Sequence, residues 1–153
     1  LTLMTLDFSP DDWDGVQPKH VFELRTYIAT PDNLDGLHAR FRNHTTDLFQ
    51  RHGMQNVAYY EMFADATTTV GDLLKNLSPM NADGADTDMG ARASGKALIY
   101  FLAHKSADAA KDSFTAFRND PEWIKVRTES EEVAKGSLTV GNGVKSLFLK
   151  SVR

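Results

Sequence analysis

The order of strand-like and helical segments is the feature that most restricts the fold of this 153-residue chain. Strand patterns, rich in β-branched and aromatic residues, occur at residues 20–29, 54–63, 97–104 and 143–152. Helical patterns follow the first strand, up to Gly53, and the third strand, at 106–118 and 121–135. This order predicts an α+β, ferredoxin-like fold, in which an antiparallel sheet carries its helices on one face.

Capping residues predict where the helices begin. Thr30-Pro31 predicts the start of the first helix, because threonine is a good cap and proline fits the first helical position. The sequence "FRNDPEW" predicts a break followed at once by a new helix. Asp120 would cap that helix and Pro121 would open it, so Trp123 would lie in its first turn and close one end of the sheet.

Alternation along the first strand divides its side chains between two faces. We expect Phe22 and Leu24 to face the helices, and Arg25 and Tyr27, with Glu23, to face away from them. An arginine on that second face needs an anion, a carboxylate or an aromatic ring, because an unpaired buried charge is costly. The alternative to a ligand is an ion pair between Glu23 and Arg25.

Two regions lie outside this four-strand unit. Residues 1–18 hold a short strand-like piece and a linker, and we expect an N-terminal extension that is either an extra edge strand or the remnant of a preceding repeat. Residues 19–153 then form the main domain. Residues 64–96 are a long insertion in it, with helical spacing at 70–77 and a flexible composition after that.

Composition and charge favour some classes of partner over others. The net charge of −4 and the pI of about 5.7 do not predict a nucleic-acid partner. No apolar run is long enough to span a membrane, and without cysteine there are no disulfides.

No histidine pair has the spacing of a helical metal site, so we predict neither a metal nor a cofactor. The chain begins at Leu1 rather than Met, so we expect a processed or exported protein, or part of a longer one.

Four stretches of the chain together form a distinctive pattern. They are "FELRTY" (22–27), "LHARFRNHTTDLFQRHGM" (37–54), "ALIYFLAHKSADAAKDSFTAFRNDPEWIKVRTESE" (97–131) and "VKSLFLK" (144–150). In this combination they resemble the NIPSNAP family. The resemblance implies a homodimer that forms a dimeric α/β-barrel, with two ferredoxin-like sheets packed face to face. It also implies similarity to small monooxygenases and haem-degrading enzymes of that fold, but no established reaction.

The candidate ligand-pocket residues are those that a dimeric barrel would bring near its cavity or its mouth. They are Arg25, Tyr27, Tyr60, Tyr100, His104, Arg118 and Trp123. Arg25 would orient an acidic or carbonyl-bearing ligand, and Tyr27 and Tyr100 would donate hydrogen bonds to it. For each aromatic residue, packing in the core or the dimer is the alternative.

Three functions are compatible with these residues. The first is a NIPSNAP-like protein of uncharacterised biochemical role that binds a small molecule in the dimeric barrel. The second is a cofactor-free monooxygenase or isomerase acting on a carbonyl or quinone-like substrate, in which Tyr27, Tyr100 or His104 handles the proton and Arg25 the oxyanion. The third is a protein-interaction scaffold that works through residues 64–96.

Overall fold

The computed structural model describes residues 2–11, 20–63 and 96–149. The strands are β1 (Thr2–Thr5), β2 (Val21–Ala29), β3 (Gln55–Phe63), β4 (Lys96–His104) and β5 (Thr139–Leu149). The helices are α1 (Leu34–Arg40), a π-helical segment (Phe41–Thr45), α2 (Thr46–Arg51), α3 (Ala107–Asn119) and α4 (Pro121–Ala134). The predicted helix at 70–77 lies outside the described residues.

The five strands form one sheet in the order β1-β3-β4-β2-β5, and every neighbouring pair is antiparallel. Strands β2 to β5 have the ferredoxin-like arrangement, which confirms the predicted α+β fold. The apolar β4 occupies the middle of the sheet, as its sequence predicts. β1 lies at the edge beside β3, with Thr2 opposite Phe63 and Thr5 opposite Tyr60. The division into an extension and a main domain stays a prediction.

The first helix begins at Leu34, so the predicted start at Thr30-Pro31 is wrong. The hydroxyl of Thr30 donates a hydrogen bond to the carbonyl oxygen of Ser137 at 2.8 Å, which ties the loop to the end of α4 instead of capping a helix. Asp32 has a φ of 63°, in the left-handed region, and this conformation prevents a right-handed helix from starting before it.

The other predicted helix boundaries are confirmed. Gly53, with a φ of 76°, ends α2, and Pro121 opens α4. The Asp120 carboxylate caps α4 by accepting a hydrogen bond from the backbone N–H of Glu122 at 2.8 Å. The same carboxylate lies 2.7 Å from Nε2 of His52, at the end of α2. The hydrogen bond with His52 has the largest effect on the pKa of Asp120, followed by that with the backbone of Glu122, and together they hold this pKa below its usual value. The "NDP" break therefore joins three helices at one point.

The two faces of β2 are the reverse of those predicted. The ring of Tyr27 lies edge-on to that of Phe41, with 5.6 Å between their centres, and the Arg25 guanidinium lies 4.2 Å from the centre of the Phe114 ring. Both partners belong to the helical layer, so Arg25 and Tyr27 face the helices. Alternation fixes which residues share a face, but it does not say which face the helices cover.

The opposite face of the sheet is apolar, and it is not bare as predicted. Ile28, Met62 and Ala97 are fully buried there within the single chain. A second cluster on this face contains Val57, Ala58 and Ala103, with Phe22, Tyr60 and Phe101 packed against it. Because both faces are buried, hydrophobicity alone did not identify the helical side. The predicted homodimer stays a prediction.

The core between the sheet and the helices is a chain of aromatic rings. Trp123 contacts Phe117 with 4.5 Å between ring centres, Phe117 contacts Phe49 at 4.9 Å, and Phe49 contacts Tyr100 at 5.9 Å. This continuous packing runs from α4 to the central strand. It agrees with the structural interpretation of Trp123, which closes one end of the core.

Candidate ligand site between the sheet and the helices

A buried carboxylate organises the polar residues on the helical face of the sheet. Glu23 is 1% exposed, and its Oε1 accepts hydrogen bonds from Nη1 of Arg25, at 2.7 Å, and from the hydroxyl of Ser146. Its Oε2 lies 2.8 Å from Nε2 of His104. We call Glu23, Arg25, Tyr27, Tyr100 and His104 the polar cluster. The predicted ion pair between Glu23 and Arg25 is confirmed.

Strand register brings these groups together. Val21 lies opposite His104, and Arg25 lies opposite Ser146, so both His104 and Ser146 are diagonal neighbours of Glu23 across the sheet. Diagonal neighbours lie within reach of long side chains. The cluster, together with Ser146, therefore rests on three adjacent strands, β4, β2 and β5, and not on a loop.

The central pair is ionised at neutral pH. Burial disfavours the carboxylate of Glu23, but the hydrogen bond with His104, the charge of Arg25 and the Ser146 hydroxyl outweigh it and lower the pKa of Glu23. Burial also disfavours the guanidinium of Arg25, but its interactions with Tyr100, Tyr27 and Glu23 raise its pKa. A buried ion pair with this many hydrogen bonds is rigid.

Two tyrosines extend the cluster toward the first helix. Nη2 of Arg25 is 3.4 Å from the hydroxyl of Tyr27, whose ring centre is 5.4 Å from that of Tyr100. The Tyr100 ring stacks on Tyr59 with 5.2 Å between centres. Burial, and after it the neighbouring hydroxyl of Tyr27, raise the pKa of Tyr100 well above its usual value, so the Tyr100 hydroxyl keeps its proton.

Three buried atoms of the cluster have no hydrogen-bond partner among the described residues. They are Nε of Arg25, the hydroxyl of Tyr100 and Nδ1 of His104. By contrast, the hydroxyl of the neighbouring Tyr59 donates to Oδ1 of Asn56 at 2.5 Å. A buried unpaired group costs about 1–3 kcal/mol, and most buried polar groups in native proteins are paired. A small molecule or water between the sheet and the helices would supply the missing partners.

The structure brings four of the seven sequence candidates together: Arg25, Tyr27, Tyr100 and His104. It separates the other three from them. Tyr60 lies on the opposite face of the sheet, in contact with Phe101. Arg118 is exposed, and its Nη2 lies 3.5 Å from the hydroxyl of Thr115. Trp123 packs on Phe117 in the core.

Sequence reasoning missed two residues, Ser146 and Arg40. Ser146 is identified only by strand register, which the sequence does not give. Arg40 is buried although it is charged, and the sequence does carry a signal for it. It lies three residues after Leu37 and one before Phe41, so a charged residue falls on the apolar stripe of the helix.

Within the described segments, no group of three acidic, histidine or cysteine residues is placed to hold a metal ion. Among the helices of those segments, none has the length and apolar character needed to cross a membrane.

Solved structures of NIPSNAP family proteins share this architecture. One, a protein of unknown function from Agrobacterium tumefaciens, aligns with 88% of this chain and 89% of its own, at 14% identity and a TM-score of 0.54. The chain has the NIPSNAP fold. A NIPSNAP-like domain protein from Burkholderia xenovorans aligns with 89% of this chain and 88% of its own, at 11% identity and a TM-score of 0.55. No protein-family model and no curated protein matches the chain. At such low identity, the likeness confirms the predicted resemblance at the level of the fold alone.

Proposed function

We propose that this NIPSNAP-fold protein binds a small molecule in the polar cluster, between the sheet and the helices of one subunit. From the sequence, we expected the ligand on the face of the sheet away from the helices. Because Arg25 and Tyr27 face the helices instead, the proposed site lies on the helical face. One observation carries the proposal: three buried atoms, on Arg25, Tyr100 and His104, have no hydrogen-bond partner in the described part of the chain, and they surround a carboxylate that is fully paired.

The chemistry of these atoms indicates what the ligand offers. Arg25 and Tyr100 present N–H and O–H donors, so the ligand carries a hydrogen-bond acceptor such as a carbonyl or carboxylate oxygen. The rings of Tyr27, Phe41 and Tyr100 pack against one another, with 5.2–5.6 Å between their centres, and give the cluster an aromatic side. A planar, conjugated carbonyl compound fits both properties.

Replacing Tyr100 with phenylalanine tests the proposal. In protein refolded free of small molecules, we expect Tyr100→Phe to raise the free energy of unfolding by roughly 1–2 kcal/mol, because it removes an unpaired buried hydroxyl and keeps the ring. A ligand that binds the native state raises the melting temperature. We expect at least one compound in a panel of quinones, haem and fatty acids to do so, and Tyr100→Phe to reduce the increase.

Tyr59→Phe is the matched control. It removes a hydroxyl that is already paired with Asn56, so we expect it to lower the stability. If Tyr100→Phe lowers the stability as much as Tyr59→Phe, the Tyr100 hydroxyl has a partner in the protein and the proposal loses its support. Equal melting temperatures with and without every compound would also count against it.

The alternative function, a cofactor-free monooxygenase or isomerase, is favoured by one observation. Glu23 holds Nε2 of the buried His104 at 2.8 Å, while Nδ1 has no partner among the described residues. In the tautomer whose Nε2–H donates to the carboxylate, Nδ1 of His104 carries a lone pair that would accept a proton from a substrate. Turnover of a carbonyl or quinone-like compound that His104→Gln abolishes, with binding retained, would support the enzyme. Binding without turnover would contradict it.

We further propose a second copy of the chain as a partner, as the NIPSNAP resemblance implies. The surface available to it is the half-buried part of the sheet face opposite the helices, formed by Phe22, Leu24, Tyr60 and Phe101. A monomer in sedimentation velocity would contradict this partner. The scaffold function of residues 64–96 stays a prediction, because residues 64–95 lie outside the described residues.

A further inference from the structure

Arg40 is a buried arginine with poor partners. Its side chain is 5% exposed, and its Nε has no hydrogen-bond partner in the described segments. Its Nη1 lies 3.5 Å from the Ser130 hydroxyl and 3.9 Å from Oε1 of Glu131, which is 36% exposed. Both distances are long for a charged donor, so this guanidinium is weakly neutralised.

Two other arginines of the structure show the distances that are typical of a close ion pair. Arg25 is 2.7 Å from Glu23, and the exposed Arg42 binds Asp7 through two nitrogens at 2.6 and 2.8 Å. Arg40 is the least exposed of these three side chains, and it has no contact of this kind with residues 2–11, 20–63 or 96–149. The Trp123 ring and the distant Glu131 carboxylate offset the cost of burying this charge only in part, so an anionic ligand would be a better partner for Arg40.

The backbone around Arg40 is specialised. The π-helical segment begins directly after it, and the hydroxyl of Thr45 donates to the carbonyl oxygen of Arg40 at 3.2 Å. The Thr46 hydroxyl likewise reaches the carbonyl oxygen of Phe41 at 3.3 Å. Short π-helical segments inside α-helices occur frequently at functional sites. The guanidinium of Arg40 lies 5.2 Å from the centre of the Trp123 ring.

Arg40 neighbours the polar cluster along the chain and in space. The ring of Tyr27 packs on that of Phe41, the residue after Arg40. Burial lowers the pKa of Arg40, and Tyr27 and Tyr100 act on it in the opposite direction. Within the cluster, the charges of Glu23 and Arg25 cancel. The charge of Arg40 is therefore left over, with the distant carboxylate of Glu131 as its counterion.

We propose that Arg40 binds the anionic group of the molecule in the polar cluster, and that this ligand is an aromatic carboxylate. The inference rests on the proposed function and adds the charge of the ligand. A carboxylate accepts two parallel hydrogen bonds from a guanidinium, which Glu131 does not provide at its present distance. The ring of the ligand would lie against the aromatic side chains of Tyr27 and Tyr100.

Benzoate and benzamide test the inference as a pair, because they have the same ring and differ in charge. We expect benzoate to raise the melting temperature of the protein more than benzamide at constant ionic strength. Arg40→Met keeps an apolar stem, and we expect it to weaken benzoate binding about tenfold or more without changing benzamide binding. Arg127→Gln is the control: it removes an exposed positive charge on α4 near Arg40, and benzoate binding should change by less than about twofold.

Glu131→Gln provides a test in the opposite direction. It removes the carboxylate that competes for Arg40, so we expect benzoate to bind a few times more tightly, on the order of threefold. Because Glu131 is partly exposed, this variant is expected to fold even where Arg40→Met does not.

Two results would overturn the inference: no benzoate effect on the wild-type protein, or an equal effect of benzoate and benzamide. Weaker benzoate binding in Glu131→Gln would overturn it too. The Tyr100→Phe comparison decides the proposed function separately, so a neutral ligand that binds at Tyr100 would leave that function standing and remove only the role of Arg40.

Discussion

Replacing Glu23 with leucine is expected to lower the free energy of unfolding by about 3–5 kcal/mol, measured by urea unfolding at neutral pH. The variant leaves the buried guanidinium of Arg25 without its counterion. It also removes the acceptor that His104 and Ser146 share. Loss of one partner from a buried, hydrogen-bonded ion pair is among the most destabilising substitutions.

The double variant Glu23→Leu/Arg25→Met is the control. It removes both charges and keeps similar side-chain volumes, so we expect it to recover most of the lost stability. Recovery would show that the loss comes from the stranded charge rather than from damaged packing. A loss below about 1 kcal/mol in the single variant would contradict the buried network.

The contribution of Glu23 to the stability of the fold depends on pH, and it decreases toward acidic pH. Its folded-state pKa is lower than the ordinary value of 4.5. The stabilisation is therefore fully present above that ordinary value and is lost as the pH falls through the lower, folded-state pKa. The difference in stability between the wild-type protein and Glu23→Leu should shrink across this acidic window and stay constant near neutral pH.

Replacing Trp123 with alanine is expected to lower the free energy of unfolding by a similar amount, about 3–5 kcal/mol. Trp123 is 9% exposed and packs against Phe117 with 4.5 Å between ring centres, at the end of the aromatic core. The truncated side chain leaves a cavity that rigid strands and helices cannot fill. Thermal and urea unfolding would both measure the loss.

Ile124→Ala is the control beside it. Ile124 follows Trp123 on the same helix but is 46% exposed, so we expect a loss of no more than about 1 kcal/mol. If the two variants have equal effects, Trp123 does not close the core as described. Trp123→Phe, which retains a ring, should have an intermediate effect.

Features that depend on neighbouring residues could be predicted from the sequence. The strand at 20–29, the cap at Asp120 and the end of the helix at Gly53 are examples, because propensity and capping act within a few residues. The shared face of Glu23, Arg25 and Tyr27 is another, because it follows from strand alternation. These local rules were sufficient to identify the ferredoxin-like order of elements.

Features that depend on the tertiary structure could not be predicted. Alternation is symmetric, so it placed Arg25 and Tyr27 on one face without identifying that face as the helical one. Register between strands, which brings Ser146 to Glu23, has no local signature. The start at Thr30 failed because its hydroxyl binds Ser137, a residue far away in sequence.

A crystal structure of the purified protein tests the central claim most directly, through the electron density beside the Tyr100 hydroxyl, Nε of Arg25 and Nδ1 of His104. We predict continuous, planar density of a bound molecule within hydrogen-bond distance of at least two of these atoms. The contradicting result is that crystals soaked with each of the tested compounds show only isolated water molecules, hydrogen-bonded to all three atoms. A ligand site there would then be excluded.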